Sequence, residues 1–203
     1  MKVMVIANVD QEQEIRSKKL NSGVELFFKN EIPDTIKDFD TFFILTEDFQ
    51  GVNFEDFGGK PVFINAVIDT LSQLQFPKNI SRINGWSGFL QRDTWEVASE
   101  NKIAAKAVFN ILDWEIIFVR DEPGFVAARV ISMIINEAFF AFKEKVSTRE
   151  EIDLAMKLGT NYPYGPFEWA EKIGLKNIFK LLKKLFEKET RYLPSFEVET
   201  SIK

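Results

Sequence analysis

Up to about Val119 the chain is built from short apolar runs, and after Arg120 the pattern changes to helical periodicity that persists to near Glu189. That change of period constrains the fold most, because period-2 and period-3.6 patterns bury their apolar faces in different ways. The runs are Val3 to Ala7, Val24 to Phe28, Phe42 to Leu45, Pro61 to Val67, Arg82 to Trp86, Trp95 to Ala98 and Trp114 to Val119. Each has strand length and is bounded by turn residues. Helical patterns intervene at Gln11 to Leu20, Ile68 to Leu74 and Asn101 to Leu112. The first half therefore reads as a layered α/β unit and the second as all-α. The boundary is expected near Asp121 to Gly124, giving domains 1–120 and 121–203.

Within the second half, Pro123 suits the first turn of a helix running from about Gly124 to Lys143, which is apolar around most of its circumference. Ser147-Thr148-Arg149-Glu150 has the form of a capping box, with the Ser147 hydroxyl taking the Glu150 amide. The helix that follows is expected to end at Gly159, where a positive φ is tolerated. Tyr162-Pro163-Tyr164-Gly165-Pro166 then forces a turn, and Gly174 separates two more helices. The last carries Lys172, Lys176, Lys180, Lys183, Lys184 and Lys188 beside an apolar stripe of Ile178, Leu181, Leu182, Leu185 and Phe186, the pattern of a solvated bundle face.

Composition excludes several chemistries. The 203 residues contain no histidine and no cysteine, which removes imidazole bases, thiol nucleophiles, thiolate metal sites and disulfides. A formal charge of -5, with acidic residues spread along the chain, offers no general attraction for nucleic acid. The most apolar stretch, Val126 to Phe142, is interrupted by Arg129, Asn136 and Glu137, so no membrane span is expected and a cytoplasmic location follows by default. The 21 phenylalanines point to an aromatic-rich interior or subunit interface. Gly58-Gly59-Lys60 lacks the remaining residues of a phosphate-binding loop and reads as a turn. Glu47, Asp48, Glu55 and Asp56 lack calcium-loop spacing and read as a solvated acidic loop. Ser87-Gly88 does not form a nucleophile elbow with any histidine.

One series of residues carries a family resemblance. Asp121, Pro123-Gly124-Phe125-Val126, Arg129, Asn136-Glu137-Ala138, Glu151-Ile152-Asp153, Ala155 to Gly159, Tyr162-Pro163, Gly165 to Glu168, Gly174-Leu175, Arg191-Tyr192 and Pro194-Ser195 resemble the C-terminal domain of 3-hydroxyacyl-CoA dehydrogenases. The resemblance implies a reduced Rossmann-like α/β domain followed by a 6-phosphogluconate-dehydrogenase-C-terminal-like helical domain. It also implies a homodimer formed through the helical domain, which in the family closes the acyl-CoA site.

The first half departs from that family's pattern at the positions that carry its chemistry. Where the family has a GxGxxG turn for NAD, this sequence has Ala7-Asn8-Val9-Asp10-Gln11-Glu12, with Ala7, Val9 and Glu12 at the glycine positions. Val9 and Glu12 are expected to obstruct a pyrophosphate, and Asp10, Glu12 and Glu14 to repel it. No cofactor is expected, NAD entering only if the altered turn still takes it. Ser87 stands where the family has its catalytic histidine, and a serine hydroxyl does not exchange protons near neutrality as an imidazole does. Glu96 matches the family's glutamate and is expected to be an exposed strand-end carboxylate, or to hold Ser87 or Arg92. Ala128 replaces the family's asparagine and Thr70 matches its serine. The resulting expectation is a non-catalytic relative with a binding or dimeric assembly role. The alternatives are an acyl-CoA-related enzyme using Glu96 with Ser87 or Thr70, and a heteromeric partner of a complete dehydrogenase.

Overall fold

The computed structural model describes residues 1–33, 36–46, 49, 52–195 and 198. The chain divides into two compact units, residues 1–125 and 126–203. Unit 1 contains one seven-stranded sheet in the order β2-β1-β3-β4-β5-β6-β7. Its strands are β1 (Lys2–Ile6), β2 (Glu25–Lys29), β3 (Thr41–Ile44), β4 (Val62–Ile64), β5 (Ile80–Ile83), β6 (Thr94–Ser99) and β7 (Glu115–Phe118). Neighbours are parallel except for β5 and β6, which pair antiparallel with Ile83 opposite Val97. Helices α1 (Val9–Arg16), α2 (Leu71–Leu74) and α3 (Lys102–Leu112) complete the unit.

Alternation along the strands sorts the side chains into two cores, as a pleat of period 2 requires. Val3, Val5, Phe43, Phe63 and Val97 pack on one face with Phe109, Trp95 and Trp114. Met4, Ile6, Phe42, Ile44, Val62, Ile64 and Ile80 pack on the other with Phe54 and Phe57. The phenylalanines of unit 1 are thus largely core: Phe43 stacks on Phe63 at 4.8 Å and meets Phe109 edge-on at 5.8 Å.

Unit 2 is all-α, with α4 (Ala127–Lys143), α5 (Arg149–Thr160), α6 (Pro166–Ile173) and α7 (Leu175–Phe186), followed by a 3-10 turn at Thr190–Tyr192. Three local expectations shift. The capping box begins one residue later, with Thr148 as N-cap and Glu151 as its partner. The α5 helix ends at Asn161 in the left-handed conformation rather than at Gly159. The α4 helix starts at Ala127 rather than Gly124, because Gly124 and Phe125 both have positive φ. Gly124 also donates its amide to Val67 O at 2.7 Å, so residues 121–125 belong with the α/β unit.

Gly58 and Gly59 form the expected turn, with φ of 59° and 76°. Glu47 and Asp48 lie outside the described residues, and among the described residues no three acidic side chains converge as a metal-binding set. No helix among them is long and apolar enough to cross a membrane.

Candidate functional site

The strand order reverses between β2 and β3, which flank β1, so the switch point of the sheet lies at the carboxyl ends of β1 and β3. Helix α1 begins there. Asn8 is its N-cap: Oδ1 accepts the Gln11 amide at 2.9 Å, and Gln11 Oε1 accepts the Asn8 amide at 3.0 Å. The sequence signal is an Asn-x-x-Gln capping box, which a reading confined to the glycine positions misses. Gln11 is buried, and its Nε2 donates to Leu45 O and to Gly85 O, both at 2.9 Å. One carboxamide therefore ties the helix start to the ends of β3 and β5.

Asn65, after β4, extends this network by donating to Leu45 O at 3.0 Å and accepting from the Gly85 amide at 3.0 Å. Gly85 is required by close approach, since a Cβ there would meet Asn65 at 2.9 Å. Neither Val9 nor Glu12, the residues expected to obstruct a pyrophosphate, is buried. Val9 is 71% exposed and Glu12 pairs with Arg16 at 2.6 Å, so Gln11, not either of them, fills the inner position.

The segment after β5 is held just as closely. Ser87 is half-buried in a turn at residues 87–90. Glu14 of α1 accepts the amides of Gly88 at 2.5 Å, Leu90 at 3.0 Å and Gln91 at 3.3 Å. Glu96 corrects the expected exposure: β6 lies between β5 and β7, both of its faces are covered, and Glu96 is only 7% exposed. Its Oε2 accepts from Asn84 Nδ2 at 3.3 Å. Thr70 is the N-cap of α2, with its hydroxyl accepting the Gln73 amide at 3.3 Å and bonded to Ser72 Oγ at 2.9 Å. Of the unit 1 candidates, Ser87 follows the carboxyl end of β5 and Glu96 meets Asn84 there, while the Thr70 hydroxyl is engaged in a local cap.

Arg82, fully buried in β5, organises the chain leading to that cap. Its guanidinium donates to Ala66 O at 2.7 Å, to Val67 O at 3.3 Å and to Glu122 O at 3.4 Å, pairs with Asp121, and lies 4.6 Å from the Phe125 ring centroid. Burial lowers its pKa, opposed by the hydrogen bond and charge of Asp121; a guanidinium remains ionised nonetheless. The other Asp121 interactions accept the Leu71 and Ser72 amides at 3.0 and 3.2 Å, closing the start of α2.

In unit 2, Ala128 is fully buried near the start of α4. Asn136 binds Leu193 O at 2.9 Å and the Ser195 amide at 2.8 Å, which explains the pairing of an α4 asparagine with a Pro-Ser segment far along the chain. Asp153 accepts the Phe167 and Glu168 amides at 2.8 and 3.2 Å, supplying α6 with the cap that Gly165 cannot. A Cβ at Gly165 would collide with that carboxyl group. The Gly-Pro-Phe-Glu signature is thus a helix start shaped around Asp153, with Glu168 returning to the Gly165 amide at 2.9 Å. Burial raises the Asp153 pKa even though the two amides favour its carboxylate. The Glu168 pKa is lowered, first by its hydrogen bond from Lys157 and then by the Gly165 amide.

These capped and packed positions fall in the segment that matches a known family. The profile of the 3-hydroxyacyl-CoA dehydrogenase C-terminal domain matches residues 124–200. Residues 124–200 are therefore similar to the C-terminal domain of that family. The segment is 44% identical over 78 residues to 3-hydroxyadipyl-CoA dehydrogenase of Escherichia coli (strain K12), covering 37% of this chain and 16% of that protein. It is 40% identical over 76 residues to 3-hydroxybutyryl-CoA dehydrogenase of Clostridioides difficile, covering 36% and 27%. The matches therefore span less than a third of either relative. In fold, the chain resembles (S)-3-hydroxybutyryl-CoA dehydrogenase from Ralstonia eutropha, with a TM-score of 0.70 at 22% identity over 98% of this chain and 84% of that one. A Rossmann-like sheet followed by the 3-hydroxyacyl-CoA dehydrogenase helical domain is accordingly the architecture of this protein.

Proposed function

We propose that this protein is a 3-hydroxyacyl-CoA dehydrogenase relative that neither binds NAD at α1 nor transfers hydride, and that it retains a role in binding or dimeric assembly. The observation that carries this reading is the closed start of α1. A dinucleotide of this fold places its diphosphate on unsatisfied amides at that helix N-terminus. Here Asn8 and Gln11 satisfy each other's amides, and Gln11 Nε2 occupies the strand-end carbonyls beside them. Asp10 and Glu12 add negative charge in the first turn. These residues do not fit a diphosphate.

Ser87 supports the same reading, because oxidation of a 3-hydroxyl requires a group that accepts its proton. Glu96 is the nearest matching acid in the sequence, and its contact with Asn84 favours a second reading in which it acts as a base toward an acyl-CoA. For assembly, α5 presents Leu154 and Leu158, 54% and 78% exposed, four residues apart on one helical face. We assign this face to the dimer or to a heteromeric dehydrogenase partner. The test combines acetoacetyl-CoA turnover with NADH and light scattering. No turnover and a dimer that Leu158→Glu dissociates are expected; turnover abolished by Glu96→Gln would establish the second reading instead.

A further inference from the structure

Helix α1 and Lys18, two residues beyond its end, are joined to the β5–β6 connection along one side. Gln11, Glu14 and Lys18 follow the i, i+3, i+7 spacing of a single helical face. They meet the connection in the same order: Gln11 at Gly85 O, Glu14 at the amides of Gly88, Leu90 and Gln91, and Lys18 Nζ at Arg92 O, 2.6 Å away. Lys18 is further fixed 5.6 and 5.3 Å from the rings of Trp95 and Trp114, and burial lowers its pKa.

The middle contact has the chemistry of an anion nest, in which neighbouring backbone amides in a tight turn point at one centre. Gly88 has a φ of +93°, the backbone state that lets the turn aim its amides this way. Both oxygens of a single carboxylate are used, Oε1 by Gly88 and Oε2 by Leu90 and Gln91. We infer that the Gly88–Gln91 turn is a carboxylate-binding site whose resident ligand is the chain's own Glu14, and that this contact latches α1 to the turn bearing Ser87. The site is made by backbone amides, so removing the Glu14 side chain leaves it intact for a small carboxylate from solution.

The test uses the full chain as wild type, Glu14→Ala, and Glu12→Ala as a control that loses only the surface pair with Arg16. Each is followed by thermal unfolding and by amide exchange at Gly88, Leu90 and Gln91, in sodium acetate and in sodium chloride of equal ionic strength. Glu14→Ala is expected to melt lower and to exchange these amides about ten- to a hundredfold faster, the loss of one charged hydrogen-bond set. Acetate, but not chloride, should restore both in a saturable way, with no effect on wild type or Glu12→Ala. If Glu14→Ala does not fold, Glu14→Gln is read by exchange alone: it keeps one acceptor oxygen and replaces the other with a donor, so Gly88 or Leu90 and Gln91 should exchange faster, and unchanged exchange at all three would overturn the inference. Unchanged exchange in the variant, no response to acetate, or an equal response in wild type would overturn the inference.

Discussion

Gln11 Nε2 lies 2.9 Å from the carbonyl oxygen of Gly85, joining the start of the first helix to the end of the fifth strand. The same nitrogen reaches Leu45 O, and the same side chain caps Asn8, so every polar atom of the carboxamide is engaged. In a parallel α/β sheet this crevice outside the strand ends is where ligands bind; here a side chain bridges it.

Gln11→Ala should therefore destabilise the protein by about 1–3 kcal/mol, the cost of leaving buried polar groups unpaired. Gln11→Glu should cost more, because a carboxylate would face the two carbonyl oxygens that now accept from Nε2. Urea unfolding of both variants measures this. A Glu variant as stable as wild type would contradict the assigned direction of these hydrogen bonds.

Arg82→Met should cost about 3–5 kcal/mol, since it strands Asp121 and three carbonyl groups that one guanidinium satisfies. Arg82→Lys should recover only part of that loss, because an ammonium cannot reproduce the planar fork that spans residues 66–67 and 121–122. Denaturant midpoints for the pair, at unchanged slope, check both statements.

The sheet was legible because its strands are short apolar runs between turn residues, and all seven expected runs contain or overlap a strand. Side-chain hydrogen bonding across the chain was not. Glu96 reads as exposed because it is a charged residue in an alternating stretch, and only the sheet order makes β6 an interior strand. Glu14 reads only as negative charge near a diphosphate position and Gln11 only as part of the altered turn, because their partners lie 34 to 77 residues away. The α2 helix is shorter than its pattern, starting at Leu71 because Thr70 caps it and Asp121 takes the next two amides. In the helical domain Pro166 and Gly174 marked helix ends, whereas Gly124 and Gly159 did not, and nothing in the signatures says that Gly165 is small to admit Asp153.

Gly165→Ala should destabilise the helical domain by about 1–3 kcal/mol through overpacking against Asp153. In an Asp153→Ala background the collision disappears and the same substitution should cost much less. A double-mutant cycle by thermal unfolding reads the coupling directly; additive effects would mean that the two residues do not compete for one space.

Glu168 has a pKa held below the ordinary glutamate value, so its contribution to stability is present above about pH 4.3 and is lost as pH falls through the lower folded value. Glu168→Gln keeps an acceptor for the Gly165 amide but cannot titrate. Its deficit relative to wild type should be full near neutrality and should vanish in acid. Melting temperatures measured across that window give the result, and a deficit independent of pH would rule out the Lys157 pairing as its source.

Calorimetric titration of the folded protein with NADH shows whether the start of α1 is closed to a dinucleotide. A chain whose first helix is capped by Asn8 and Gln11 should give no saturable heat, and Gln11→Gly should not restore it because Asp10 and Glu12 remain. Stoichiometric, saturable NADH binding by the wild-type protein would show instead that the capped helix start still admits the cofactor.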